Sequence, residues 1–144
     1  MNTVKLAAVF GENKPGHLAR LTAALADAKA NIRWITIATS EKIGVIKILV
    51  DKHEPACHAL REHGFTVSQL EVLAVDVPDR PGGLHAVAEV LSKHGINLEN
   101  ASGFVTSTHR RAVLLFETKD PETAAHVLKK SGLHLFSQEE ILTI

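Results

Sequence analysis

The chain has 144 residues, and its 16 Lys plus Arg balance 16 Asp plus Glu, so it lacks the long-range field by which a nucleic-acid or anionic-membrane binder gathers its partner. Aromatic residues make up only 4% and tyrosine is absent, which leaves few platforms for base stacking. The single cysteine, Cys57, excludes an intrachain disulfide and has no Cys-x-x-Cys neighbour for zinc or redox work, so it reads as a small apolar residue on a helix.

Residues 4–10 read as a strand rich in apolar side chains, ended by Gly11. Lys14-Pro15-Gly16 cannot extend it, because proline lacks the amide donor and glycine permits unusual backbone angles. Leu18, Leu21, Leu25 and Ala28 then form one apolar stripe, which predicts a helix of about 14 residues. Asn31 turns the chain into strands 32–38 and 43–51, joined by the polar Ser40-Glu41-Lys42 as an antiparallel hairpin. Pro55 opens a second helix, with Ala56, Ala59, Leu60 and His63 on one side, and Gly64 stops it. Residues 65–69 give a fourth strand. The same order follows again: strand 70–77, helix 83–94, strands 98–106 and 111–118, helix 121–130 and strand 133–137, with a tail at 139–144 that reads as a short edge strand. Apolar runs are far short of the ~20 residues a spanning helix needs, and no export signal opens the chain, so a soluble cytoplasmic protein is expected.

The recurrence is an internal repeat. Residues 12–32 match residues 78–98 at an offset of 66, with Pro15 against Pro81, Gly16 against Gly82, Leu18 against Leu84, Leu25 against Leu91 and Asn31 against Asn97. Pro121 also lies 66 residues after Pro55, which predicts the same register in the second helix. The expectation is an α+β protein of two ferredoxin-like βαββαβ modules, 1–69 and 70–144, each an antiparallel sheet with both helices on one face. The other face is then open and available to a further partner.

Chemistry points to the turn between the first strand and first helix of each copy, Asn13-Lys14-Pro15-Gly16-His17-Leu18 and Asp79-Arg80-Pro81-Gly82-Gly83-Leu84. A helix that starts at glycine turns unpaired amides and the positive end of its dipole outward, which suits a small carboxylate. Asn13 or Asp79 can accept from a ligand ammonium, so the pair of features fits a zwitterion. A Pro-Gly at such a turn also has a purely structural reading, as turn chemistry, and Asp79 could simply cap its helix.

Both halves resemble the ACT domain, an amino-acid-sensing module attached to many metabolic enzymes. The second copy carries the family's D-x-P-G-x-L as Asp79 to Leu84 and its G-x-N-I as Gly95-Ile96-Asn97-Leu98. The first copy is looser, with Asn13 for the aspartate and Lys29 where the glycine would stand. The resemblance implies ligand pockets where modules pack side by side, lined by Asn13, Gly16, His17 and Leu18 and by Asp79, Gly82, Gly83 and Leu84, with Asn31 and Asn97 bracing the far end. It further implies a homodimer that signals by altered packing to a metabolic enzyme, and a small-molecule amino acid as the ligand.

Nine histidines invite a metal reading, but His53, His58 and His63 are spaced by five and do not converge on one helix face. His109-Arg110-Arg111 reads as a polar hairpin tip, and Trp34 as packing at a module interface. No Gly-x-Ser-x-Gly elbow, P-loop or dinucleotide fingerprint is present, so neither catalysis nor a cofactor is expected. Two alternatives stand beside amino-acid sensing: a ligand-free structural adaptor working through open sheet faces, and an acylphosphatase-like enzyme using Arg20 and Asn31.

Overall fold

The computed structural model describes residues 3–106 and 108–144. By internal contacts the chain divides into two compact units, Lys5–Leu70 and Glu71–Ile144, the second also taking in the start of the chain up to Val4. The first unit runs β1 (Val4–Glu12), α1 (His17–Asp27), β2 (Ile32–Ser40), β3 (Ile43–Val50), α2 (His53–Glu62) and the leading part of β4 (Thr66–Pro78). Its strand order is β2-β3-β1-β4, the antiparallel arrangement of a ferredoxin-like module. The rest of β4 opens the second unit, followed by α3 (Gly83–Lys93), β5 (Asn100–Val105), β6 (Arg111–Glu117), α4 (Pro121–Lys130) and α5 (Gln138–Ile141), with strand order β4-β6-β5. The two βαββαβ modules therefore share one uninterrupted strand where the sequence predicts two.

In each unit alternate strand residues face the helices and form the core. Ala7, Val9, Ile46 and Ile48 meet Leu21 and Leu25 of α1 and Leu60 of α2. Leu73, Val75, Leu114 and Phe116 meet Val87, Leu91 and Leu128 in the second unit. Every one of these side chains is less than a tenth exposed, so each contributes about 1.5–3 kcal/mol of burial against the entropy of ordering the chain. Leu6, Ala8 and Leu49 in the first unit, and Ala74, Val113 and Leu115 in the second, alternate with the helix-facing residues and are buried as well. Apolar residues at successive strand positions, rather than an apolar–polar alternation, mark strands covered on both sides. Trp34 is half-buried opposite Leu49 on that face.

The register shows that the repeat is not uniform. Val9 pairs with Ile46 and Val75 with Leu114, so β6 lies 68 residues after β3, although β4 still lies 66 after β1. The second hairpin is two residues longer, and the shift persists: α2 and α4 coincide at 68, as do Gly64 and Gly132, both with φ +84°. Pro121 therefore corresponds to His53, and its 66-residue distance from Pro55 is a coincidence of two prolines in the first turns of their helices.

All four long helices end alike. The amide five residues on bonds back across the last turn, Ala30 to Leu25, Phe65 to Leu60, Ile96 to Leu91 and Leu133 to Leu128, at 2.9–3.1 Å. This Schellman ending places the intervening residue in the left-handed region: Gly64, Gly95, Gly132 and, against steric preference, Lys29 at φ +57°. The first copy thus keeps the turn without the glycine.

Two more expectations change. Residues 133–137 join β4 only through the isolated Val75–Leu135 bridge, not as a full strand. The tail is a short helix, because Ser137 and Glu140 form a reciprocal capping box, Ser137 Oγ accepting from the Glu140 amide and the Glu140 carboxylate from the Ser137 amide.

Replacing Lys29 by glycine relieves about 1–2 kcal/mol of left-handed strain and adds about 0.5–1 kcal/mol of chain entropy, so urea unfolding should show a net gain of roughly 0.5–1 kcal/mol. Asp120 caps α4 by accepting from the Thr123 hydroxyl at 2.6 Å and the Thr123 amide at 3.1 Å, and these bonds hold its carboxyl below the ordinary aspartate value. Its stabilisation is complete above the unfolded-state pKa and fades as pH falls through the lower folded value. Asp120→Asn should remove that component from the acid limb of a melting-temperature profile and leave the neutral limb parallel to wild type.

Candidate functional site

Glu12 closes β1, and Asn13 staples this end to the β2–β3 turn: its amide donates to Lys42 O at 2.7 Å and its side-chain Nδ2 to Glu41 O at 3.2 Å. The chain then tightens, Lys14 N to Glu12 O and His17 N to Lys14 O, and Gly16 reverses it at φ +91° to start α1. No side chain caps α1, and Gly16 O accepts the Arg20 amide. Asp79 does the same to Arg110 O at 3.0 Å, Gly82 stands at φ +87°, and α3 likewise has no side-chain cap. Asp79 is exposed at the turn and does not cap its helix.

Beside each turn lies a recess in the same place. In the first unit it measures about 90 Å³ and is lined by Asn13, His17 and Leu18 from the turn and by Ile37, Thr39 and Ile46 from the hairpin. In the second it measures about 200 Å³, between Leu84 and the hairpin residues Gly103, Val105 and Leu114. With the 66- and 68-residue registers applied, Leu18 and Leu84, Ile37 and Gly103, Thr39 and Val105, and Ile46 and Leu114 are counterparts. The recess grows where His17 and Ile37 of the first copy give way to Gly83 and Gly103.

His17 lines its recess from the turn and packs against β1. Its ring lies flat against Gly11, where a Cβ would collide with the imidazole, 5.7 Å from Phe65, with Arg20 Nη2 3.4 Å from Nδ1 and the guanidinium 5.3 Å over the Phe65 ring. In the second copy Val77 occupies the place of Gly11, and Gly83 instead lets the turn backbone close onto Pro78 O.

Of the residues singled out from the sequence, the structure brings Asn13, His17 and Leu18 into one recess and Leu84 into the other. Gly16, Gly82 and Gly83 shape the turns without lining the hollows, and Asp79 sits at the turn. Asn31 and Asn97 are elsewhere. Asn31 is tied to Asp51 at the opposite end of β2, its amide donating to Asp51 Oδ1 at 2.9 Å and its carbonyl accepting from the Asp51 amide at 3.1 Å. The counterpart of Asp51 is Lys119, which cannot accept, and β5 starts two residues later than β2 does in register. Asn97 lies in a segment outside the ladder and lines two hollows of about 470 and 230 Å³. These exceed the recesses beside the turns, but they surround a strand start that does not form. The hairpin residues were missed by sequence reasoning, and their signal was available: they are the helix-facing positions of each hairpin nearest the turn.

Among the described residues no three His, Cys, Asp or Glu side chains gather as a metal site. His53 meets Gln69 at 3.0 Å and Cys57 Sγ at 3.7 Å, while His58 pairs with Glu62 and His63 with Ala59 O. Burial pushes the Cys57 thiol up, nearby Glu54 adds to this, and Arg61 opposes it, so the sulfur is packing rather than nucleophile. No helix among the described residues is long and apolar enough to cross a membrane.

The family model described as an ACT domain pair matches residues 2–144. Protein BT0572 from Bacteroides thetaiotaomicron is similar over 100% of both chains, with 25% identity and a TM-score of 0.93. The ligand-free regulatory subunit of aspartate kinase from Thermus thermophilus aligns with 90% of this chain and 92% of its own at 16% identity and TM-score 0.61. E. coli aspartokinase III, in complex with lysine and aspartate, aligns with 89% of this chain and 31% of its own at 17% identity and TM-score 0.51. The last two likenesses concern the fold alone. No curated protein gives a sequence match.

The two turn glycines of the second copy answer to different constraints. A Cβ at Gly82 meets open space and suffers only from its φ, about 1–2 kcal/mol, whereas one at Gly83 runs into the Pro78 carbonyl. Urea unfolding should therefore find Gly83→Ala more destabilising than Gly82→Ala.

Proposed function

Because the chain belongs to the family of ACT domain pairs, we propose that it is a regulatory protein that binds a free amino acid and carries no catalytic centre. The observation that carries this reading is the duplicated recess, formed in each module by the leucine in the first turn of the first helix and by the edge hairpin. A ligand carboxylate at the helix start meets amides that no side chain caps, in the field of the helix dipole. Asn13 spends its Nδ2 on Glu41, which leaves its oxygen to accept from the ligand ammonium, and the exposed Asp79 carboxylate takes that role in the second copy. The ligand's side chain enters the recess. A charge-assisted bond contributes about 1.5–3 kcal/mol, so two or three of them give affinities on the micromolar to millimolar scale of metabolite sensing.

The edge strands β2 and β5 carry exposed apolar side chains at these recesses, Ile37 and Val105 among them, which favours a homodimer whose second copy completes each pocket. Ligand capture would then bias how the copies pack, and a metabolic enzyme in the cytoplasm would read the change. The adaptor alternative leaves the duplicated recess without a role. An acylphosphatase-like use of Arg20 and Asn31 finds no support either, for Arg20 lies over Phe65 and Asn31 is bonded to Asp51.

A thermal-shift screen of the twenty amino acids tests the proposal. A ligand at 100 times its Kd adds about 2.7 kcal/mol to the native state, so at least one amino acid should raise the melting temperature measurably. A flat response to all twenty overturns it.

A further inference from the structure

Resting on that reading, we infer that the two recesses are not equivalent, and that the second-module recess selects an amino acid with a branched apolar side chain while the first does not hold it. The hollow at Leu84 has about 200 Å³ and its hairpin wall is Gly103, Val105 and Leu114, with no ionisable side chain among its lining residues. Apolar enclosure of this kind stabilises a hydrocarbon side chain in proportion to the area it takes from water, and leaves a charged or hydroxylated one without partners. The hollow at Leu18 has less than half that volume, because Ile37 stands where Gly103 leaves space, and its walls include Asn13, Lys14, His17 and Thr39. A leucine- or valine-sized group there meets less room and more polar neighbours than in the second recess.

Gly103 is the residue on which the difference turns. Its backbone does not occupy the left-handed region, so glycine is not demanded by conformation, and on an edge strand a glycine has no ladder advantage over a β-branched residue. A Cβ there would come within 3.3 Å of Val113 O, a contact relieved by a shift of a few tenths of an ångström, and further side-chain atoms would extend into the recess. Small size at 103 thus keeps the hollow empty.

Calorimetric titration of the full chain with leucine, isoleucine and valine, and in parallel with serine, aspartate and lysine, tests the inference. At least one of the first three should bind with one equivalent per chain, at least tenfold more tightly than any of the second three. Gly103→Val should weaken that binding at least tenfold with circular dichroism unchanged. Val105→Asp, a change at an exposed edge position, should weaken it similarly by placing a charge at the wall. Binding of polar amino acids alone, two equal equivalents of an apolar one, or undiminished affinity in both variants overturns the inference while leaving amino-acid binding in place. A Gly103→Val chain whose titration is unaltered but whose sedimentation shifts from dimer to monomer gives the recess to a second copy of the chain, and also overturns it. Silence with all twenty amino acids removes the underlying function instead.

Discussion

The strand-to-helix turn is the constraint from which the rest of each module follows. A glycine at φ +91° or +87° reverses the chain within a few residues, at an angle that any L-side chain would resist. That reversal lays α1 or α3 back over the sheet, so that Leu21 and Leu25, or Val87 and Leu91, reach the helix-facing strand positions. It also fixes the next residue but one, Leu18 or Leu84, beside the hairpin. Core and recess are therefore two consequences of one backbone choice, and a change that relaxed the turn would loosen both.

The copies keep this frame and differ where the frame meets solvent. Ala56, Cys57 and Leu60 of α2 recur as Ala124, Ala125 and Leu128 of α4, at the same depth. Around the turn the substitutions are of another kind: Gly11 to Val77, His17 to Gly83, Ile37 to Gly103. The first two compensate in volume, and the third opens the recess. The imidazole that rests on Gly11 has no room beside Val77, and its replacement by glycine lets the second turn close onto Pro78. At the far end of the hairpin the loss of the Asp51 acceptor to Lys119 frees the strand start, and Asn97 leaves the ladder. The same residue type at the same offset thus plays different parts, which is why the repeated asparagines did not behave as one brace.

The modules were legible in the sequence because period-2 and period-3.6 patterns, interrupted by Pro-Gly and Gly, are local signals that tertiary packing here reinforces. The two-residue lengthening of the second hairpin was hidden by Pro55 and Pro121, which preserve the wrong spacing; the buried triplets of α2 and α4 carry the right one. In the tail the capping signature of Ser137 and Glu140 outweighs the strand propensity of Ile141, Leu142 and Ile144 over so short a span. Open sheet faces were inferred from topology alone, although the apolar residues on both sides of β1 and β6 already spoke against them. The recess walls were the least legible part, since they come from strands some 20 residues from the turn and become neighbours only once register is set.

Burial of both sheet faces has a consequence for what remains exposed. Among the described residues, the large apolar side chains left in water include Leu18, Ile35, Ile37 and Ile43 in one unit and Leu84 and Val105 in the other, all on the first helical turn or the edge hairpin. Four of them, Leu18, Ile37, Leu84 and Val105, also wall a recess. Any chain seated on those edges and any small molecule held in those hollows touch the same atoms. Their binding free energies are then linked in both directions, so a ligand that favours the paired edge is favoured by it to the same degree.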